Sequence, residues 1–509
     1  MSEWMDSLPL TRRHFLRRLG QASGAVLTTA LIRDLDGFCK PEKPLNVVIV
    51  GAGLAGLVAA YELEQRGHSV VILEADSKHV GGRVPTQRFA DGLYGELGAM
   101  RIPQNHELTR HYIKKFGLTL RRFVLSNPEA FYYLRGRRER IKDVKRLNRL
   151  YRLKANEREK TPDELWAAAV TSRLNKLTKA EKDDLFAVTP KTEAVRALDQ
   201  LSLQRLCEDA GLSAEAIELV AATEGQEMEM FTGATETLRE ELKQIWSLGF
   251  DEIVGGTDRL PAAFVEHLKS KPRMGCEVTG LRQDADKRRA AAVYTEAGKA
   301  RQAEGDFVLC TLPLPVLSWL KVEPAFSGMK KRAIRELNYD SATKVLAVTS
   351  RRFWEVDDGI FGGGTFTDLP TGTTYYPSDN AAAKDAKVSA GPGVLLASYS
   401  WGMAARRLAS LPAKEGARLA IRHLSAVHPQ LAKEGAVRDS ACWNWDSHRW
   451  SGGGFAWFMP GQHSALYRHI VTPEGRIHFA GEHASLTHTW MQGALESGLR
   501  AAREILAAV

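Results

Sequence analysis

Residues 46–74 constrain the fold most. Asn46-Val47-Val48-Ile49-Val50 is a short β-branched apolar run that ends in Gly51-Ala52-Gly53-Leu54-Ala55-Gly56; Leu57 to Gln65 then reads as a helix. Gly67-His68 leads into a second apolar run, Ser69-Val70-Val71-Ile72-Leu73, closed by Glu74. This is a strand, a tight turn, a crossover helix and a parallel strand. In such a unit Gly51 permits the turn, Gly53 lets the backbone approach a pyrophosphate, and Gly56 lets the helix lie close on the strand, with its N-terminus facing the anion. A glycine motif alone is weak. Here the acidic residue at the end of the second strand is placed to hold a ribose hydroxyl pair, so the unit predicts a dinucleotide site.

The rest of the composition is compatible with a large globular α/β chain. With 509 residues, 44% hydrophobic and 26% charged, the chain can bury about three quarters of its unfolded surface, and disordered, collagenous and coiled-coil classes are excluded. The net charge of +9 is mostly local: Arg135–Lys160 holds twelve Lys/Arg against four Asp/Glu. That run reads either as a solvated face or as an attractor of nucleic acid or anionic membrane, and without an aromatic-interleaved groove the first is preferred. Five cysteines, Cys39, Cys207, Cys276, Cys310 and Cys442, form no CxxC pair, so neither a disulfide framework nor a metal cluster is expected.

At the N-terminus, Thr11-Arg12-Arg13-His14-Phe15-Leu16 precedes an uncharged segment, Leu19 to Ile32. It resembles a twin-arginine signal over residues 1–40, which implies export to the periplasm or beyond, or a cytoplasmic protein if the segment is instead an amphipathic helix. Fourteen uncharged residues rise about 21 Å as a helix, short of the roughly 30 Å hydrocarbon core, so no transmembrane segment is expected.

The residues after the second strand distinguish one dinucleotide from another. Gly81-Gly82-Arg83-Val84-Pro85-Thr86, Ile253-Val254-Gly255-Gly256-Thr257-Asp258-Arg259-Leu260-Pro261 and Ile477-His478-Phe479-Ala480-Gly481-Glu482 stand in that order. Together they resemble the flavin amine oxidase family, which implies FAD. By that resemblance Gly51, Gly53, Leu54, Ala55, Gly56, Glu74, Ala75, Gly82 and Arg83 bind the cofactor. So do Gly98, Ala99, Met100 and Arg101, the backbone of Val278 at the adenine, and Gly481, Glu482 and Met491 at the closing helix. No cysteine lies in the closing segment, so the flavin is expected to be non-covalent.

Glu96-Leu97-Gly98-Ala99-Met100-Arg101-Ile102-Pro103 and Tyr112-Ile113-Lys114-Lys115-Phe116-Gly117-Leu118 narrow the resemblance to L-amino-acid oxidases, venom enzymes included. It implies that Arg101 holds the substrate α-carboxylate, a task suited to a planar guanidinium that gives two charge-assisted hydrogen bonds. Tyr376 is expected as a second donor to that carboxylate, and Lys344 as the lysine that holds a water near the flavin and serves the reaction with oxygen. Trp490, Phe455 and Thr489 are expected to border the substrate. Where the venom enzymes carry a histidine proposed as a base, this chain carries Glu240, so Glu240, Lys344 or water would take that part. Glu224, Glu227 and Glu229 read either as a solvated helix face or as the lining of a funnel.

The implied reaction is oxidation of an L-amino acid by oxygen to a 2-oxo acid, ammonia and hydrogen peroxide. Alternatives are a monooxygenase that decarboxylates the same substrates to amides, and an amine or polyamine oxidase. The expected architecture is α/β, with three interleaved domains and homodimeric assembly. Residues 45–120, 245–312 and 462–509 would form a Rossmann-like FAD domain, 121–240 a helical domain, and 313–461 a mixed-sheet substrate domain.

Overall fold

The computed structural model describes residues 43–508 apart from 226, 285 and 287, so the twin-arginine-like segment lies outside the described residues. At its centre is a parallel sheet in the order Ser69–Leu73, Asn46–Val50, Phe307–Cys310, Ile477–Phe479. Each strand is buried on both faces, which is why these segments read as unbroken apolar runs. Val47 and Ile49 point into a core shared with the helix Leu54–Gln65 and the C-terminal helix Met491–Ala507. Val48 and Val50, one residue out of phase, point to a second core made with Val278, Leu281 and Phe479. Burying each such aliphatic side chain contributes roughly 1.5–3 kcal/mol.

The turn after the first strand needs its glycines. Gly51 has φ +101°, a region that side-chain-bearing residues rarely adopt. A Cβ on Gly56 would sit 2.1 Å from the carbonyl oxygen of Gly51.

A seven-stranded mixed sheet stands beside this layer, in the order Val437–Asn444, Ala342–Thr349, Gly393–Trp401, Thr373–Tyr376, Gly363–Thr367, Phe131–Leu134, Arg137–Arg140. Its last two strands fall within the stretch expected to be helical. The aromatic run Phe131–Leu134 turns back through Arg135 and Gly136, both at positive φ, the two-residue geometry that matches the twist of a hairpin. Helices occupy the region from Pro162–Trp166 to Ala234–Leu242. In the basic run, Arg135, Lys142, Arg146, Arg149 and Arg152 pair with Glu129, Glu139, Asp143, Glu215 and Glu218 on the surface. Among the described residues no helix is long and apolar enough to cross a membrane, and no cluster of side chains is arranged to hold a metal ion.

Candidate active site

A cleft of about 2160 Å³, mouth included, opens at the carboxyl ends of the parallel strands and reaches the mixed sheet. Its lining runs from the glycine turn after the first strand to Trp401 and Phe455 beside the mixed sheet, so one space joins two different surroundings. One half is built largely from backbone. Gly51, Gly53, Leu54 and Ala55 line it at the start of the first helix, Gly481 just past the strand Ile477–Phe479, and Trp490 and Met491 at the start of the C-terminal helix. Two helix N-termini therefore turn their free N–H groups and positive dipole ends toward one space, which suits phosphate. Nothing lies within 4 Å of the position a Cβ on Gly53 would take, so that space belongs to the cleft. Gly56 does not line it; it lies against the Gly51 carbonyl, where a Cβ would not fit.

Glu74 ends the second strand, its carboxylate accepting from the N–H groups of Ala52 and Asp76, each at 2.8 Å. Burial raises its pKa, which those donors partly offset. Arg83 donates to Glu482 at 2.9 Å and to the Gly454 carbonyl at 3.1 Å. Glu482 also accepts from the N–H of Ala456 and of Thr489, each at 3.0 Å, and holds Thr489 at φ +70°. Burial opposes its charge, but Arg83, His488 and His483 outweigh that and keep its carboxyl below the ordinary range. Ala75, Gly82, Gly98, Ala99 and Met100 complete this half, with Val278 at its far end beside Cys276 and Thr279. The cradle fits the flavin dinucleotide implied by the sequence: open backbone at the phosphates, a carboxylate at the ribose, and an arginine fixed by an ion pair between the two glycine segments.

Side chains form the other half. Arg101 is 8% exposed, and its guanidinium carbon lies 4.9 Å from the ring centre of Trp246, 5.5 Å from Tyr375, 5.7 Å from Phe250 and 5.9 Å from Trp490. Its Nη1 is buried without a hydrogen-bond partner, and no carboxylate among the described residues pairs with it. Ring faces contribute about 0.5–2 kcal/mol each to a cation, whereas an unpaired buried charge costs several. The box is thus electrostatically incomplete, and an anion with two acceptor oxygens would complete it. Glu240 accepts from the indole N–H of Trp490 at 2.8 Å and of Trp246 at 2.7 Å. His106 meets the edge of Trp490 at 5.1 Å, and burial, with Lys243 and Arg110 nearby, drives its pKa far down.

Lys344 enters from the fully buried strand Ala342–Thr349. Its Nζ donates to the carbonyls of Gly98 at 2.6 Å and Glu96 at 3.3 Å and lies 4.5 Å from the ring of Tyr399. Burial lowers its pKa, Glu96 opposes that, and Arg101 adds to it. Phe455 packs in an aromatic wall with Trp401 and Trp457 at 5.4 and 5.9 Å.

One expectation needs correction. Tyr376 is not at the site: its hydroxyl bonds Thr365 Oγ1 at 2.7 Å and His428 Nε2 at 2.6 Å in a separate core. Its neighbour Tyr375 meets Arg101, because successive strand residues face opposite sides of a sheet. The Tyr375 hydroxyl makes no hydrogen bond among the described residues. Glu224, Glu227 and Glu229, read either as a solvated face or as a funnel lining, do not border the cleft; Glu229 is buried and Glu227 exposed. Sequence reasoning missed Trp246, Phe250, Tyr375 and Tyr399. The four-residue spacing of Trp246 and Phe250, just ahead of the Ile253–Pro261 block, is the only signal for the first two.

Residues 54–506 match the family model described as flavin containing amine oxidoreductase. The chain is 37% identical over 476 residues to YobN of Bacillus subtilis (strain 168), covering 92% of this chain and 96% of that one. It is 34% identical over 475 residues to the L-amino-acid oxidase of Siganus canaliculatus, covering 92% and 87%. Among solved structures, cyclohexylamine oxidase from Brevibacterium oxydans IH-35A superposes with a TM-score of 0.72 at 18% identity, over 92% of this chain and 99% of that one.

Proposed function

The chain belongs to the flavin containing amine oxidoreductases and is a flavoenzyme, and from that premise we propose that it is an FAD-dependent L-amino-acid oxidase. With oxygen and water, an L-amino acid would give the 2-oxo acid, ammonia and hydrogen peroxide. The observation that carries this reading is the guanidinium of Arg101, buried among four aromatic rings with Nη1 unpartnered, beside the dinucleotide half of the cleft. An amine without a carboxylate would leave that charge unmet. The L-amino-acid oxidase of Siganus canaliculatus, alike over most of both chains, supports the same substrate class.

In this reading Arg101 takes the substrate carboxylate with two N–H donors, and the Tyr375 hydroxyl adds a third. The carboxylate end then fixes the Cα, so that its C–H is held toward the dinucleotide half. Bound FAD would accept the hydride and pass the electrons to oxygen. Trp490, Phe455 and Trp401 form rigid apolar walls that exclude water from the transfer and favour the neutral amine over the ammonium form. Lys344, its pKa lowered by burial, would hold a water at Nζ and move a proton there without carrying a full charge. Arg83, Glu74, Glu482 and the backbone from Gly51 to Ala55 would hold the FAD, without a covalent bond.

A peroxide assay on the purified yellow enzyme tests the reading. Activity is expected on several L-amino acids and none on their D-enantiomers or on tyramine, with 2-oxo acid and ammonia as products. Turnover of simple amines with amino acids inert would overturn it, as would an amide product.

A further inference from the structure

Four rings surround Arg101, yet they come from three distant stretches of chain: Trp246 and Phe250, Tyr375, and Trp490. Trp246, Phe250 and Trp490 form a mutual cluster, with ring centres 5.7 Å apart for Trp246–Phe250 and for Trp246–Trp490, and a near-parallel Phe250–Trp490 pair at 6.2 Å. Stacking does not fix how an indole is turned about its own axis. What fixes both indoles is one side chain, Glu240, whose Oε1 accepts from Trp490 Nε1 and whose Oε2 accepts from Trp246 Nε1.

We propose that Glu240 is a positioning residue of the substrate site: it grips the two tryptophans that flank Arg101 and keeps the carboxylate pocket formed before substrate arrives. The assignment rests on the reading of Arg101 as the carboxylate anchor. Two N–H donors converge on one group here, and only a side chain with an acceptor at both tips satisfies both. A charged acceptor makes such bonds roughly twice as strong as a neutral one does. The grip also spans the molecule. Glu240 lies on the helix Ala234–Leu242, whereas Trp490 stands directly before the helix Met491–Ala507, whose start lines the dinucleotide half. One carboxylate therefore ties the substrate box to the cofactor cradle, and its effect is preorganisation, which appears in ligand affinity.

Glutamine keeps the shape of Glu240 but has one acceptor tip and one donor tip, so its amide nitrogen must face an indole N–H. Glu240→Gln is expected to raise the substrate KM and the Kd for benzoate about tenfold, with kcat within about threefold; tenfold corresponds to about 1.4 kcal/mol. Benzoate offers a carboxylate on a flat apolar body with no oxidisable Cα–H, so calorimetry on the holoenzyme reads the box without turnover. Trp246→Phe removes one donor, and a glutamine then has only one indole to serve. Glu240→Gln in the Trp246→Phe background is therefore expected to cost less than about twofold more in benzoate Kd. A wild-type benzoate Kd in Glu240→Gln would overturn the proposal, as would full multiplication of the two losses in the double variant. Arg101→Ala, measured alongside, separates the readings: wild-type benzoate affinity there defeats the anchor itself, whereas a loss there with Glu240→Gln unaffected defeats only the grip. If Glu240→Gln does not fold, the double variant carries the test. If neither folds, Glu240 serves general stability and the proposal is overturned.

Discussion

The two halves of the cleft are made of different material. The dinucleotide half uses mainly peptide groups: a glycine turn, two helix N-termini, two glutamates placed by backbone N–H donors, and an arginine held by one of those carboxylates and by the Gly454 carbonyl. The substrate half uses side-chain faces from distant segments, Trp246 to Trp490, gathered around the guanidinium of Arg101. Backbone chemistry is written in a contiguous motif and tolerates little but glycine. A side-chain box depends on which face each residue presents, and a shift of one position exchanges a ligand for a piece of core. Tyr375 and Tyr376 are that case: adjacent in sequence, one faces the guanidinium and the other a buried histidine.

If the halves are separable, each should fail alone. Gly53→Val places a side chain in the open space of the phosphate half, and the purified protein is expected to lose its bound flavin and its yellow colour, which absorbance and bound-flavin content would reveal. Arg101→Ala should stay yellow while kcat/KM for L-amino acids falls at least about a hundredfold, about 3 kcal/mol, mainly through KM, in the range for losing a charged contact. A colourless Arg101→Ala protein would mean that the arginine belongs to the cofactor half. Retained flavin in Gly53→Val would remove the cradle from that glycine.

The tyrosine pair is the next test. The Tyr375 ring lies against the Arg101 guanidinium; if its hydroxyl reaches the same carboxylate, as proposed, Tyr375→Phe should raise KM about ten- to a hundredfold, the roughly 1.5–3 kcal/mol of one hydrogen bond to a charged group, with thermal stability unchanged. Tyr376→Phe should leave KM where it is and cost about 1–2 kcal/mol in unfolding free energy, because His428 and Thr365 lose a buried partner. The opposite pattern, with KM moved by Tyr376→Phe alone, would restore the role first expected of that residue.

The sequence disclosed the two halves unequally, for this same physical reason. Gly51, Gly53, Glu74, Arg83 and Glu482 were legible because each sits in a short motif whose spacing is set by one turn and one ligand. Arg101 and Trp490 were legible through resemblance, in stretches that line the cleft next to its backbone-built half. Trp246 and Phe250 were not, since their position follows from the pairing of Phe250–Ile253 with Ile102–Pro103 and Leu120–Phe123, which no local pattern announces. The hairpin at Phe131–Arg140 was missed for a related reason: its basic second strand has one solvated face, and its pairing with Gly363–Thr367 is made far along the chain.

The smallest effect separates the two tyrosine environments by pH. Behind Tyr376, His428 is fully buried, with its Nδ1 3.0 Å from Asp358 and its Nε2 2.6 Å from the tyrosine hydroxyl. In the arrangement that satisfies every group, Nδ1–H donates to Asp358 and Nε2 accepts from Tyr376. Burial lowers the pKa of His428 below the ordinary 6.5, and Asp358 offsets only part of that. Above pH 6.5 the histidine is neutral in both folded and unfolded chains and contributes no pH dependence. As the pH falls below 6.5 the unfolded chain takes up a proton that the folded one resists, so stability declines by at most about 1.4 kcal/mol per pH unit for this group. Denaturant unfolding of the holoenzyme at pH 7.0, 6.0 and 5.0 should therefore show a decline that is shallower in His428→Gln than in the wild type, whatever the offset between them at pH 7.0. The pH dependence of KM over the same interval should be alike in the two proteins, since His428 lies behind Tyr376 and away from Arg101. Equal unfolding slopes would mean that His428 takes up its proton as readily in the folded chain as in the unfolded one, and a steeper decline in His428→Gln that the folded chain already holds it, with Tyr376 then donating elsewhere. A KM profile that moved with His428 would join two regions that the sheet keeps on opposite faces.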